Sequence, residues 1–162
     1  LGDPIYEKLE AKLAMAMLSI PASKGFEIGS GFQASSMRGS EHNDLFYTEG
    51  FEVKTKSNHA GGVLGGISTG MPLNCSVAFK PTSSIFVPQE TVDLKGEVQS
   101  FALSKQARHD PCVSIRAVPV VEAMLALVLA DLCLSNRTAQ LSTQVQRESS
   151  KGYSEKIEKV IV

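Results

Sequence analysis

The longest apolar run in the chain, from Val118 to Leu134, restricts the possible folds more than any other segment. Only two charged residues, Glu122 and Asp131, interrupt it. Pro119 is predicted to begin a helix that ends near Leu134, because proline fits the first turn of a helix. Glu122 then falls in that turn, where a carboxylate suits the positive end of the helix dipole. A helix that is apolar on nearly every side must be buried on most faces, so the other elements are predicted to pack around it.

Residues that could carry chemistry stand just before this helix, in the segment Arg108-His109-Asp110-Pro111-Cys112. Side chains alternate along an extended chain, so Arg108 and Asp110 would project from the same face. Pro111 favours the extended state for the residue before it. The pattern predicts a cation beside a carboxylate at the entrance of the helix and leaves the function of the pair open.

Composition limits the class of protein. With 162 residues, 43% of them hydrophobic, the chain has the size of one domain or of half a larger one. A formal net charge of -1 provides no global field that would attract nucleic acid or an anionic membrane surface. No basic and apolar leader stands at the N-terminus, so a soluble protein is predicted. The chain begins at Leu1 rather than at methionine, which suggests a fragment or a processed product.

The three cysteines, Cys75, Cys112 and Cys133, are an odd number at wide spacing. They form no Cys-x-x-Cys pair, and no histidine stands at ligand spacing from them. We predict that they are reduced, in a cytoplasm-like compartment, and that they bind no metal.

Periodicity predicts one further helix and several short strands. Apolar residues at four-residue spacing follow the helix-start pair Asp3-Pro4, which predicts a helix over residues 4–19. Strands are predicted at 26–28, 51–56, 73–80, 85–87 and 97–103, and an exposed loop at 35–44 with a surface histidine, His42. The composition turns polar after residue 135, which predicts a loosely held tail with limited structure over 136–162.

Two Gly-Gly pairs, Gly61-Gly62 and Gly65-Gly66, stand within the segment 57–70. Glycine allows close backbone approach, either in tight turns with close packing or in a loop that holds a phosphate or a flat ring. The spacing matches neither the dinucleotide fingerprint nor the Walker loop, so both interpretations stay open.

A second loop, Lys80-Pro81-Thr82-Ser83-Ser84, combines one cation, three hydroxyls and a proline that fixes the backbone. It could bind phosphate, because the ammonium supplies charge and the hydroxyls supply directional donors. An ordinary polar turn explains the same residues equally well.

Several of these segments, taken in order, resemble the chorismate synthase family. The family's C-terminal signature is matched by Arg108-His109-Asp110-Pro111-Cys112, Ala117, Pro119 and Glu122-Ala123-Met124. Similar segments occur at 24–32, 57–62 with 65–68, and 78–85. The resemblance implies an α+β fold, a β-α-β sandwich of antiparallel sheets around helices, of which this chain holds about half a subunit. Residues 1–135 would be the C-terminal portion of that domain, and 136–162 would lie outside the match.

The resemblance also implies an activity. The family converts 5-enolpyruvylshikimate 3-phosphate into chorismate by 1,4-elimination of phosphate, a lyase step of the shikimate pathway and of aromatic amino acid biosynthesis. Its cofactor is reduced FMN, used without net redox change, and NADP is associated with this flavin. A homotetramer in the cytoplasm, or in plastids, is implied for the full-length protein.

Carried over to this sequence, the family's flavin contacts fall on the Pro21-Ala22 turn, Gly65, the loop Lys80 to Ser84 and Arg108. Position 21 is proline where many bacterial members have asparagine, so only backbone proximity through Ala22 is expected there. Asp110 matches the acid proposed in the family to act as a base at the flavin N5. Arg108 beside it would keep Asp110 ionised.

The chain departs from the family in length. The family's N-terminal half carries two catalytic histidines and most of the arginines that hold the substrate, and neither histidine is matched by His42, His59 or His109. We therefore expect no turnover from this chain alone. The alternative, from another class, is a non-catalytic module that binds flavin or nucleotide, or a structural part.

Overall fold

The computed structural model describes the backbone of residues 1–157 and the side chains of residues 1–140. Its helices are α1 (Leu9–Leu18), α2 (Gly39–His42) and α3 (Val113–Ile157), with a 3₁₀ helix at Gly31–Ser36. Its strands are β1 (Ser23–Ile28), β2 (Phe46–Glu49), β3 (Glu52–Thr55), β4 (Val63–Leu64), β5 (Ile67–Ser68), β6 (Cys75–Phe79), β7 (Gln89–Val92) and β8 (Val98–Phe101). Over the described backbone the strands pair as four two-stranded antiparallel sheets, β1–β6, β2–β3, β4–β5 and β7–β8. The predicted α+β class is confirmed at this level.

The core lies where α1 meets α3 and the β1–β6 pair. Leu9, Leu13 and Met17 are fully buried, and their four-residue spacing places them along one side of α1. Ile20, Val63 of β4 and Leu132 of α3 complete the buried cluster. Each buried leucine stabilises the fold by about 2 kcal/mol relative to an exposed one, so this cluster is what holds the two helices and the sheet together.

One side of α3 packs against that cluster. The packed side chains recur at three- and four-residue spacing, as expected for one face of a helix. They are Val121, Met124, Leu125, Val128, Leu129 and Leu132.

The opposite side of α3 is exposed, so the prediction that this helix is buried on most faces is wrong for the described structure. The exposed fractions of Ile115, Leu127 and Leu134 are 72%, 66% and 64%. Apolar residues on several sides indicate contacts on several sides, but the described residues cover only one. By length and composition alone, Val113–Gln140 could also cross a membrane.

The ends of α3 differ from the prediction as well. The helix begins at Val113, so Pro119 lies inside it and Glu122 lies beyond its first turn. A cap formed by Cys112, described below, explains the earlier start. The helix also continues to Ile157, through most of the predicted tail, because no proline interrupts it and most of its polar residues are adequate helix formers. Residues 158–162 of the predicted tail lie outside the described residues.

The helix α1 is shorter than predicted. It begins at Leu9 rather than at residue 4, and Ile5 is 70% exposed. The amide of Leu9 donates to the carbonyl of Gly66 at 2.9 Å, so the β4–β5 turn takes the place of the predicted cap by Asp3.

The strands predicted within 26–28, 51–56, 73–80 and 97–103 are confirmed with shifted ends as β1, β3, β6 and β8. Residues 85–87 form no strand, because their apolar side chains find no neighbouring strand and remain exposed. The predicted loop at 35–44 includes the end of the 3₁₀ helix and all of α2, and His42 is half-buried rather than at the surface.

Candidate functional site

The turn before β1 and the loop after β6 meet at one end of the β1–β6 pair. Ser23 is paired with Phe79 in the sheet register, and the next bond outward runs from the Lys80 amide to the Ala22 carbonyl at 2.9 Å. Ala22 has a φ of 69°, a left-handed conformation that alanine rarely adopts. The sheet therefore holds Ala22 and Lys80, two predicted site residues, beside each other.

The loop after β6 also reaches the segment before α3. The Thr82 hydroxyl donates to the carbonyl oxygen of Asp110 at 3.1 Å. Thr82 and Ser84 are half-buried, whereas Lys80, Pro81 and Ser83 are exposed. The structure thus brings the predicted loop and the predicted catalytic acid together across 28 residues of sequence.

The carboxylate of Asp110 pairs with a different arginine from the one predicted. Arg116 Nη2 lies 3.2 Å from Asp110 Oδ1, and among the described residues no ion pair joins Arg108 to Asp110. The prediction assumed an extended segment, but residues 108–110 are irregular and α3 begins at Val113. The first turn of α3 therefore carries Arg116 back over Asp110.

The start of α3 is capped by Cys112. The backbone amides of Ser114 and Ile115 and the Ser114 hydroxyl donate to Sγ of Cys112, and these hydrogen bonds lower the pKa of its thiol below the usual value. This is the geometry of an N-cap residue, which satisfies amides that lack a partner in the first helical turn. Cys112 is exposed, so the polarised sulfur is open to reagents.

Two positively charged side chains of these segments form no ion pair. In the part of the chain that the structure describes, neither Lys80 nor Arg108 joins an ion pair, and both are exposed. Together with the hydroxyls of Ser83 and Ser84 they could hold an anion such as a phosphate.

The remaining predicted site residue, Gly65, belongs to another hairpin. Gly65 and Gly66 form the two-residue turn between β4 and β5, with φ values of 61° and 90°. This hairpin is held against the first residue, where the Ser68 amide donates to the carbonyl of Leu1 at 2.9 Å. No hydrogen bond within the described residues ties Gly65 to Lys80 or Asp110. Space around Gly65 is open, so it alone of the four paired glycines could face a ligand.

The other three paired glycines pack closely against backbone. A Cβ on Gly61 would collide with Gly29, one on Gly62 with Pro72, and one on Gly66 with Asp3 and Lys8. Close packing therefore explains these three positions.

A carboxylate that the sequence did not single out organises the segment before Gly61. Asp44 Oδ1 accepts from the Ser57 hydroxyl at 2.6 Å and from the His59 amide at 2.8 Å, and Oδ2 accepts from the Ala60 amide at 2.9 Å. Burial raises the pKa of Asp44, but these hydrogen bonds outweigh it, so the pKa lies below the usual value. Asp44 thus fixes the loop through its ionised form.

Two histidines lie beside this carboxylate. His59 Nδ1 and Ser30 Oγ are hydrogen-bonded at 2.8 Å, and the ring centroids of His42 and His59 are 5.5 Å apart. A cavity of about 400 Å³ opens next to them, lined in part by His42, Phe46 and Leu64. The hydrogen bond to Ser30 explains His59 as part of the loop scaffold, and His42 contacts it through the ring pair.

Comparison with known proteins decides the family. Residues 1–134 match the protein family described as chorismate synthase. This chain belongs to the chorismate synthase family. The chorismate synthase of Protochlamydia amoebophila is 62% identical over 141 residues, which are 87% of this chain and 38% of that protein. That of Methylacidiphilum infernorum is 58% identical over 142 residues, 88% of this chain and 38% of that protein.

A solved structure agrees with the sequence relatives. A crystal structure of a chorismate synthase superposes with a TM-score of 0.62 at 35% identity, covering 81% of this chain and 32% of that one. The chain therefore spans about two fifths of the length of the chorismate synthases it matches.

Within this chorismate synthase family member, sequence reasoning missed Asp44, Arg116 and the capping role of Cys112. A usable signal existed for the last two, since both stand within four residues of the start of α3, where caps and first-turn charges are expected. Asp44 gave no such signal, because its partners are 13 to 16 residues away.

Proposed function

We propose that this chain is the part of a chorismate synthase that forms one wall of the flavin site. The enzyme as a whole would convert 5-enolpyruvylshikimate 3-phosphate into chorismate by 1,4-elimination of phosphate, with reduced FMN as cofactor. The family match over residues 1–134 carries this proposal. The convergence of Ala22, Lys80, Thr82 and Asp110 supports it, since these residues come from three separate segments.

The residues present suit an anionic cofactor and substrate. Lys80 and Arg108 supply two uncommitted positive charges, Ser83 and Ser84 supply hydroxyl donors to phosphate oxygens, and the Thr82 hydroxyl donates to Asp110 instead. Pro81 limits the conformations of their loop. Ala22 would approach the cofactor through its backbone, and Gly65 through its open turn.

Asp110 is the group that we assign to proton transfer. Reduced FMN, when bound, supplies an electron-rich ring beside the bond that loses phosphate. The exposed carboxylate of Asp110 would act as the base that accepts the proton at the flavin N5. Arg116, 3.2 Å away, would hold the carboxylate in place. Thr82 positions the same residue from the other side through its backbone carbonyl.

This chain alone would bind without turning over, because it spans 38% of its relatives and carries no counterpart of the family's catalytic histidines. The complete enzyme would be a homotetramer of β-α-β sandwich subunits in the cytoplasm or a plastid, with no nucleic acid or membrane partner. NADP would serve only to reduce the flavin.

A titration with reduced FMN under anaerobic conditions tests whether these residues form one wall of the flavin site. Binding should weaken about tenfold or more in Lys80→Ala and in Arg108→Ala, since each removes a charge-assisted contact to phosphate. Lys95→Ala, which changes an exposed lysine in the β7–β8 turn, is the matched control and should bind as the unaltered chain does. Equal affinity in all three variants would exclude this wall as the flavin site.

The proton-transfer role requires a protein of full family length. There, Asp110→Asn should lower turnover at least a hundredfold while the protein still binds flavin. Full turnover in that variant would leave Asp110 a structural residue and would favour a purely binding or structural role for this part of the chain.

A further inference from the structure

A groove of about 450 Å³ is lined by residues of α1, β1 and the 3₁₀ helix. Glu10 and Ala14 of α1, Phe26 and Glu27 of β1, and Phe32 of the 3₁₀ helix are among these residues. Most of the lining is apolar, and the two carboxylates are the charged groups within it. We call it the α1–β1 groove.

One of these carboxylates lacks the partner that its burial requires. The Oε2 atom of Glu10 is buried, yet no donor among the described residues forms a hydrogen bond with it. Buried polar atoms in folded proteins nearly always have a partner, because an unpaired buried acceptor costs free energy. The unpaired oxygen therefore indicates a donor that the described residues do not supply.

The lysines that stand nearest to Glu10 in the sequence are engaged elsewhere. Lys12 pairs with the carboxylates of Glu7 and Asp131, and the stem of Lys8 lies against the β4–β5 turn. Within the described part of the chain, neither carboxylate of the groove joins an ion pair. The described residues therefore leave both carboxylates without a balancing positive charge.

The chemistry of the groove suits an arginine side chain. A guanidinium is planar and carries five donors, enough to bridge two carboxylates, and its face can stack on the ring of Phe32, which is 74% exposed. The apolar stem of an arginine can pack against Ala14 and Phe26. A metal ion fits less well, because no group of three acids, histidines or cysteines over the described residues could hold one.

We propose that the α1–β1 groove holds an arginine of the full-length protein, from a segment that has no counterpart in this chain. Such a segment is available, since the chain spans 38% of the chorismate synthases that it matches. Charge complementarity selects a basic side chain for this position. The proposal does not rest on the flavin wall, because none of the residues assigned to that wall lines the groove.

The change Glu10→Gln should affect stability differently in this chain and in a protein of full family length. In this chain it removes an unpaired buried charge, so the melting temperature should stay unchanged or rise by about 1–2 °C. In the full-length protein it leaves the guanidinium without its partner, so the melting temperature should fall by about 3 °C or more.

Differential scanning calorimetry measures both changes. Glu90→Gln, at an exposed carboxylate of β7, is the matched control and should leave the melting temperature of both proteins unaltered. The proposal is wrong if Glu10→Gln does not destabilise the full-length protein, or if it destabilises both proteins equally.

Photo-cross-linking in the full-length protein identifies what occupies the groove. The residue p-benzoylphenylalanine in place of Phe32 keeps an aromatic ring there, and ultraviolet light couples it to the segment that lies against it. Peptide mass spectrometry should find a cross-link within one chain, to an arginine-containing segment outside the part that this chain covers. The same replacement at Phe51, which is fully exposed in the β2–β3 turn, should not give this cross-link.

The double-mutant cycle completes the test. Replacing the arginine found in this way by methionine should lower the melting temperature as Glu10→Gln does, and the two changes together should lower it by less than their sum. Additive effects would overturn the proposal. A cross-link to a second copy or to a segment without arginine, or the absence of any cross-link, would overturn it as well.

Discussion

The backbone amide of Lys80 donates a hydrogen bond to the carbonyl oxygen of Ala22 at 2.9 Å, and Ala22 makes this bond from a left-handed conformation. Glycine adopts that conformation without a steric penalty, so Ala22→Gly should raise the free energy of unfolding by about 0.5–1 kcal/mol. Ala22→Val should lower it by about 1–2 kcal/mol, because a β-branched side chain is strained at positive φ. Urea denaturation of the three proteins measures both changes. A destabilised glycine variant would mean that the turn is not strained.

The two faces of α3 should respond differently to truncation. Leu132→Ala empties a position in the buried cluster and should lower the free energy of unfolding by about 2–4 kcal/mol. Leu127→Ala changes a side chain that is 66% exposed, so it should lower the free energy of unfolding by about 0.5 kcal/mol or less. Denaturation at low protein concentration compares them. Similar losses in both variants would contradict the assignment of the buried face.

Asp44 should make stability depend on acid pH. Its pKa in the folded chain lies below the ordinary value of 3.8, so the folded protein takes up this proton less readily than the unfolded one. The stabilisation is present above the unfolded pKa and is lost as the pH falls through the lower folded pKa.

Asp44→Asn should therefore cost about 2–3 kcal/mol at neutral pH, where it loses charge-assisted hydrogen bonds and sets an amide against the Ala60 amide. The difference in free energy of unfolding between this variant and the unaltered chain should become smaller below about pH 4. Denaturation midpoints at several pH values measure this, with Asp3→Asn as the control at an exposed carboxylate. A difference that stays constant down to strongly acid pH would rule out the ionised form as the stabilising one.

Cys112 should be the most reactive thiol of the chain. Amide donors at the start of α3 lower its pKa, whereas burial raises the pKa of Cys75. Alkylation by iodoacetamide near neutral pH, followed by peptide mass spectrometry, should label Cys112 first. Ser114→Pro removes both donors of Ser114, the amide and the hydroxyl, at a first-turn position where a helix accepts proline, and it should shift the pH profile of labelling upward. An unchanged profile in that variant would show that the cap does not control reactivity.

Local patterns predicted the parts of the fold that depend on local rules. The four-residue spacing of Leu9, Leu13 and Met17 identified the buried side of α1, and alternation identified β3. The start of α1 could not be predicted, because its first amide is satisfied by Gly66 from a distant hairpin. Residues 85–87 have the composition of a strand, but a strand also needs a neighbour, and composition does not reveal one.

The sequence named candidate site residues, but it did not predict their contacts. The hydroxyl-rich loop and Asp110 were identified, and the Thr82 contact unites them. The partner of Asp110 was not identified, because that depended on whether the segment before α3 is extended or turns into the helix. Arg116 follows directly once the helix is known to begin at Val113.

Pro119 weakens the backbone hydrogen bonding between the first turns of α3 and the rest of the helix. Having no amide hydrogen, it leaves the carbonyl of Ile115 without its intrahelical donor, so the turn that carries Arg116 is joined to the packed part of the helix by one fewer bond. We predict that this turn opens more readily than the packed section, so that Arg116 moves while Val121 and the residues after it stay in the core. Amide hydrogen exchange should then be faster over 113–118 than over 121–132, and equal protection of both sections would show a helix that moves as one rod.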